Sequence, residues 1–285
     1  MPPFFCYFCR LMSKSTATIV IESGKKDKNY WRDLFAYREL FYFLAWRDIK
    51  VRYKQTVLGI SWSVIRPFLT LVVFTILFGK MAGLSSGNTP YALVVCAGLL
   101  PWNFFASAFS DTGMSLLINS NLLTKVYFPR LIIPCSSIIV SVIDFGISIL
   151  IYAGLSIYYQ FPPSVNTIFL PLFFIQLLIV IMGSGFLVAA LNVKYRDFRY
   201  IIPFVVQIGL YISPVGFDAS IVPEKWKLIY YMNPVSGIID GFRWCLLSQP
   251  LYLPGFIVSL LITILLFITG LIYFRKTEKS FTDII

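Results

Sequence analysis

Six runs of mostly apolar residues, at 57–78, 91–113, 132–158, 168–191, 201–217 and 254–274, dominate this chain; the fifth is the shortest. A hydrocarbon layer about 30 Å thick is crossed by about 20 helical residues rising about 1.5 Å each. Lipid offers backbone amides no hydrogen-bond partner, so spans of this length are expected to be helices. The composition agrees. Of 285 residues 58% are hydrophobic, 18% aromatic and only 13% charged, about half the charged share of a soluble domain. A soluble enzyme, a collagen-like fibre and a secreted disulfide scaffold are excluded. The expected fold is all-α: a polytopic membrane protein with six transmembrane helices.

There is no histidine, which removes imidazole acid–base chemistry, a Ser-His-Asp triad and His ligands for zinc or haem. Of the cysteines Cys6, Cys9, Cys96, Cys135 and Cys245, only the first two are close in sequence. A lone CxxC lacks the second pair that a zinc site needs, so no metal and no disulfide framework are expected.

The net charge of +11 is explained by its placement rather than by nucleic acid. Residues 1–66 hold twelve Lys and Arg; Lys125 and Arg130 follow the second span, Lys194, Arg196 and Arg199 the fourth, and Arg275, Lys276 and Lys279 the last. The alternate segments hold only Lys80, Lys225, Lys227 and Arg243, so the division is 20 against 4. By the positive-inside rule, both termini are cytoplasmic. The start has no basic leader and is not a cleaved signal peptide, while Met12-Ser-Lys-Ser reads as a natural polar beginning. The layout is then a polar N-terminus (1–30), an amphipathic interface helix (31–56), a transmembrane domain (57–274) and a tail (275–285).

Within 31–54, Arg47, Lys50 and Lys54 recur at helical spacing while Leu40, Phe41, Leu44 and Trp46 supply apolar surface. Such a helix lies at the headgroups, either as an anchor alone or also as a docking surface. Asp48 and Arg52 are spaced as an i,i+4 ion pair. The loop 114–131 contains a short helix that Pro129 ends, carrying Asn121, Leu122, Leu123, Lys125, Tyr127 and Arg130. The second loop, 192–203, is charged and aromatic. Segment 214–253 is long, apolar and rich in proline; Asn233-Pro234 is an N-cap followed by proline at the first helical position. It is expected to form two short re-entrant helices, tolerated where protein or a cavity surrounds them.

Charges within the spans are functional candidates by default. Asp144 lies midway along the third span, serving either a packing hydrogen bond or a transport path, and Asp111 lies near the end of the second. Asp240 and Arg243 are i,i+3 and placed to neutralise each other. Trp102, Asn103, Phe104 and Phe105 follow Pro101 inside the second span, where a proline kink opens a helix toward a cavity. Tyr230, Tyr231, Phe242 and Trp244 belong to the re-entrant segment. Aromatic faces stack on sugar rings through many weak contacts, which suits a conduit for a sliding glycan.

The run Trp46-Arg-Asp-Ile-Lys-Val-Arg-Tyr-Lys-Gln-Thr-Val-Leu-Gly-Ile-Ser-Trp62, then Arg66-Pro67, resembles the opening of polysaccharide ABC exporter permeases. Gly98-Leu-Leu-Pro-Trp102, Leu123-Thr-Lys-Val-Tyr-Phe-Pro-Arg130, Leu191-Asn-Val-Lys-Tyr-Arg-Asp197, Ser213-Pro-Val215 and Asn233-Pro234 follow in order. The ordered set is similar to the Wzm-type permease that exports O-antigen, of the type-2 ABC exporter class. The resemblance implies a homodimer around a conduit, two copies of a Wzt-like ATPase beneath it, and an undecaprenyl-linked glycan as substrate. It makes 119–130 the coupling helix and places the periplasmic gate in 221–248. Trp102, Asn103, Phe104, Phe105 and Asp144 become conduit candidates, and Tyr230, Tyr231, Asp240, Phe242, Arg243 and Trp244 gate candidates. Gly216-Phe-Asp218 departs from the pattern, which expects Tyr and Pro there.

The chain has no GxxxxGK[ST] run, so MgATP belongs to a partner and the chain is not itself an enzyme. A teichoic acid or capsule exporter on the same scaffold is the near alternative; spans two to four hold almost no basic residues, which leans toward a neutral glycan. An ion-coupled transporter needs midplane titratable groups and often repeated halves; Asp144 is one good candidate and no repeat is present. A polyprenyl-phosphate enzyme needs clustered carboxylates or a metal site, and the thirteen acidic residues are scattered.

Overall fold

The computed structural model describes residues 30–54, 59–81, 89–195 and 197–281. Cys6, Cys9, Met12 and the rest of 1–29, residues 55–58 and Arg196 lie outside the described residues. The described residues are helical, with no strand among them. Helices α1 (Tyr30–Ala36) and α2 (Arg38–Lys54) precede α3 (Gly59–Phe74), which continues as a π-helical turn, Thr75–Met81. Then come α4 (Tyr91–Ile118), the short α5 (Ser120–Lys125), α6 (Ile132–Tyr158) and α7 (Leu170–Lys194). Helices α8 (Phe198–Ile212), α9 (Glu224–Tyr230), α10 (Pro234–Leu247) and α11 (Leu253–Thr277) complete the set.

Among the described residues, four helical stretches are long and apolar enough to cross a membrane: Tyr91–Ile118, Ile132–Tyr158, Val165–Lys194 and Leu253–Ser280. Helices α3 and α8 are apolar but shorter. The shortfall from six is one of length, not polarity. Helix α3 changes to π geometry at Thr75, and α8 stops at Ile212 just before Ser213-Pro214, where proline disfavours helix in the preceding residue.

Helix α4 is the centre of the bundle, buried along most of its length against α6, α7 and α10 and flanked by α3 and α8. Helix α11 sits outside and packs on α7 through the small residues Ser259, Thr263 and Gly270, while Gly255 lies against the Tyr231 ring. A Cβ at Gly270 would collide with the Gly183 carbonyl oxygen, so the two backbones touch. Without a hydrophobic driving force in lipid, close packing of this kind holds helices together. The far face of α11, with Leu261, Leu265 and Ile272, stays exposed.

The two ends of the bundle differ. At one, Tyr30, Leu44, Leu116, Leu123, Ile132, Val193, Phe274 and Phe281 share a buried cluster. There the Tyr30 hydroxyl donates to Glu278 Oε2 at 3.0 Å, and Arg275 lies over the Tyr30 ring. Burial and the Glu278 carboxylate raise the Tyr30 hydroxyl well above its usual value. Lys125, Arg130, Lys194 and Arg275 belong to this basic end. At the other, Ser248 Oγ donates to Ser164 Oγ at 2.7 Å and Thr167 Oγ1 to the Cys245 carbonyl at 3.0 Å. The Asn233 side chain accepts from Val235 N at 3.2 Å with Pro234 opening α10, the cap that the sequence predicts.

The Asp48–Arg52 pair expected from i,i+4 spacing does not form. Arg47 takes Asp48 at 2.7 Å, and Arg52 turns instead toward α4 and α6.

Candidate functional site

A cavity of about 610 Å³ opens between α2, α3, α4, α6 and α8. Helical periodicity builds its walls. On α4, Asn103, Ser107, Ser110 and Asp111 fall at i, i+4, i+7 and i+8 and so share one face. On α6, Ser141, Asp144 and Ser148 do the same, while α3 adds Trp62, Ser63, Arg66 and Thr70.

At its heart Arg52 Nη1 stands 3.1 Å from Asp111 Oδ2 and Nη2 stands 3.0 Å from Asp144 Oδ2. One guanidinium from α2 thus joins two helices of the bundle. The Tyr53 hydroxyl donates to Asp144 Oδ1 at 2.7 Å. Burial and that carboxylate push the Tyr53 hydroxyl up to about 12, so it remains a donor. Ser141 Oγ lies 3.2 Å from Asp111 Oδ2 and 3.1 Å from Ser107 Oγ. The side chains of Arg52, Asp111 and Asp144 are 38%, 39% and 22% exposed, so the cluster faces the open cavity. Hydroxyls, an amide, two carboxylates and the exposed ring of Trp62 together complement a polyhydroxylated ring compound, while Phe104 and Phe145, 3% and 5% exposed, pack against each other and Phe174 in the wall behind them.

The structure brings Asn103, Phe104 and Asp144 to this cavity. It does not bring Trp102 or Phe105 there. Trp102 is buried against Gly209 of α8, and Phe105 stacks on Phe109. Four consecutive residues of a helix point around most of its circumference, so one cavity cannot receive them all. The residues that sequence reasoning left out of the site are Arg52, Tyr53 and Asp111. Asp111 carried the signal of an intramembrane charge, and Arg52 was hidden by a plausible local partner.

The gate candidates lie near the opposite end of the bundle, mostly inside the protein. Tyr231, Phe242 and Arg243 are fully buried, and Tyr230 and Trp244 are partly so. Arg243 and Asp240 are not bonded to each other. Arg243 donates to the carbonyls of Phe217 at 2.9 Å and Val215 at 3.1 Å, and Asp240 accepts from the Tyr231 hydroxyl. The chain has been folded back so that carbonyls of the 213–217 turn outcompete the i,i+3 carboxylate.

The coupling candidates divide. Leu123, on the inner face of α5, is buried, Leu122 and Arg130 are partly buried, and Arg130 donates to the Glu278 carbonyl. Asn121, Lys125 and Tyr127 are exposed at the basic end. On α2, Lys50 and Lys54 are exposed, Lys50 lies over the Trp46 ring, and Arg47 donates to Asn119 Oδ1 at 2.7 Å. Helix α2 also packs along α6, so it is a part of the bundle and not only a surface float.

The profile of the ABC-2 type transporter family matches residues 39–247. An O-antigen export system permease protein of Klebsiella pneumoniae is 27% identical over 87% of this chain and 95% of its own length. One from Myxococcus xanthus is 26% identical over 74% of this chain and 82% of its own. A polysialic acid transport protein of Escherichia coli is 20% identical over 82% of this chain and 92% of its own. With the family profile spanning the interface helix, the cavity and the buried Arg243 turn, the chain belongs to the ABC-2 type transporter family as a permease.

Proposed function

We propose that this chain is the transmembrane subunit of an ABC exporter that moves a lipid-linked polysaccharide of the O-antigen kind across the inner membrane. Two copies enclose the conduit, and two Wzt-like ATPase subunits below them bind and hydrolyse MgATP. The observation that carries the reading is the cavity of Trp62, Asn103, Ser107, Asp111 and Asp144, whose hydroxyl, amide and carboxylate groups and exposed indole match sugar chemistry. The near full-length similarity to O-antigen permeases supports the same substrate, an undecaprenyl-linked glycan.

Six spans with both termini cytoplasmic are part of this reading, and the ends of the bundle support it. Tyr30 and Glu278 meet at the basic end, whereas α4 begins at the opposite end, which favours α3 as a crossing between them. Val193 at the end of α7 lies in the basic-end cluster, whereas α10 lies opposite, which favours α8 as a crossing as well. With its π turn, α3 reaches about 34 Å; α8 reaches about 22 Å and is completed by the turn that Arg243 holds inside. Helices α9 and α10 then form the re-entrant gate region. The exposed apolar faces of α3 (Trp62, Phe68, Leu69) and α8 (Phe204, Ile208, Tyr211) flank the cavity and suit a second copy closing it. The exposed Asn121, Lys125 and Tyr127 then meet the ATPase.

A second reading, export of an anionic capsular polymer, is favoured by Arg66 on the cavity wall and by the polysialic acid relative. Sugar and phosphate analysis of the polymer lost when this chain is deleted separates the two. Asn103→Ala combined with Ser107→Ala should lower surface polysaccharide several-fold while ATPase co-purification stays normal. Wild-type surface polysaccharide in that variant would remove the cavity from the path.

A further inference from the structure

We propose that α2 is a bolt on this cavity: Arg52 bars its two carboxylates, and the contact between Arg47 and Asn119 draws the bolt when α5 moves. The proposal rests on α5 being the ATPase-facing helix.

The bolt starts at Asn119, the residue that both ends α4 and precedes α5. Asparagine is a preferred N-cap, yet its side chain makes no cap bond here. Its Oδ1 accepts from Arg47 Nη2 at 2.7 Å, and its Nδ2 donates to the Ser115 carbonyl at 2.8 Å. A displacement of α5 therefore carries Asn119 and pulls on α2. Arg47 also keeps Asp48 at 2.7 Å, so its guanidinium is fixed from both sides.

Arg52 lies five residues further along the same rigid helix, about 7.5 Å away. There it spans Asp111 of α4 and Asp144 of α6 at 3.1 and 3.0 Å, with Ser107 Oγ at 3.4 Å. Tyr53 next to it adds the 2.7 Å bond to Asp144. So α2 reaches both the start of α5 and the carboxylates of the cavity. Half-exposed ion pairs are individually weak, and a small axial shift of α2 is enough to break both. Packed elements amplify small shifts because they have discrete seats.

With Arg52 withdrawn, the two carboxylates become acceptors for sugar hydroxyls. They already accept from hydroxyl groups: Asp111 from Ser141, and Asp144 from Tyr53. In the structure the guanidinium occupies those acceptors, so glycan and Arg52 compete for the same oxygens. Release of the carboxylates is thereby tied to the ATPase cycle, and loading of the cavity to that release.

The test uses the full complex with its ATPase in lipid nanodiscs, with S110C as a reporter on the cavity wall. Its labelling by a water-soluble thiol reagent is measured with and without ATP, after subtracting the rate of the chain lacking S110C. We expect ATP to speed labelling about tenfold, the order of a typical coupling between sites. R52Q should label at the ATP rate without ATP, and D111N/D144N, which keeps shape and arginine, should do likewise. N119A should label slowly in both conditions although the ATPase still co-purifies. Slow labelling of both R52Q and D111N/D144N without ATP would overturn the bolt. A full ATP response in N119A would overturn its connection to α5. If no ATPase co-purifies with the wild-type chain, the ATPase reading itself fails, and fast labelling of R52Q then still supports Arg52 as the group that bars the carboxylates.

Discussion

Arg243 is the residue on which the end of the bundle opposite the basic end depends. It is 1% exposed and supplies donors to two carbonyls that have folded beside it, those of Val215 and Phe217. Each buried carbonyl left without a donor costs about 1–3 kcal/mol. Arg243→Met should therefore lower stability by about 2–5 kcal/mol, seen as a lower Tm in detergent. An unchanged Tm would mean that the turn 213–217 finds other donors. Gly270 carries a different demand, for closeness. A side chain there meets the Gly183 carbonyl, so Gly270→Leu should separate α7 from α11 and cost about 1–3 kcal/mol. Thermal unfolding checks this also. Neither demand was legible from local spacing: Asp240 at i,i+3 looked like the partner of Arg243, and a glycine in an apolar run does not announce which helix will press on it.

At the scale of elements, the apolar runs were legible because membrane thickness fixes their length, and α4, α6, α7 and α11 fall where those runs lie. Helix termini with a stereochemical cause were also legible, as with Asn233-Pro234 at α10. What sequence alone missed was direction. The run from Trp102 to Phe105 reads as one aromatic patch, yet α4 turns Asn103 to the cavity, sets Phe104 in its wall against Phe174, and buries Trp102 and Phe105 against other neighbours. Helix α5 divides in the same way. Leu123 is 3% exposed and belongs to the basic-end core, whereas Tyr127 is 51% exposed. Lys125→Glu with Tyr127→Glu should abolish ATPase co-purification without shifting Tm. Leu123→Asp should lower Tm first, since a carboxylate would be placed in an apolar cluster. Retention of the ATPase in the Lys125/Tyr127 variant would move the docking surface elsewhere, to Lys50 and Lys54 of α2.

For the whole molecule, basic residues that the sequence spreads over separate loops come together at one end of the bundle. Tyr30, Arg130, Lys194 and Glu278 gather there, at or near the ends of four different helices. The cavity was not legible as a whole, because its walls come from five helices and its ion-paired centre from residues 52, 111 and 144. Only folding brings them together. On the function proposed above, this assembly is one half of an ATP-driven exporter rather than a self-sufficient transporter. Purifying the tagged chain gently from native membranes and weighing the intact complex tests that most directly. The expected mass is two copies of this chain with two copies of a Walker-motif ATPase. A homomer without ATPase, still transporting in vesicles under a proton gradient, would contradict the account and turn attention to Asp144 as a proton carrier.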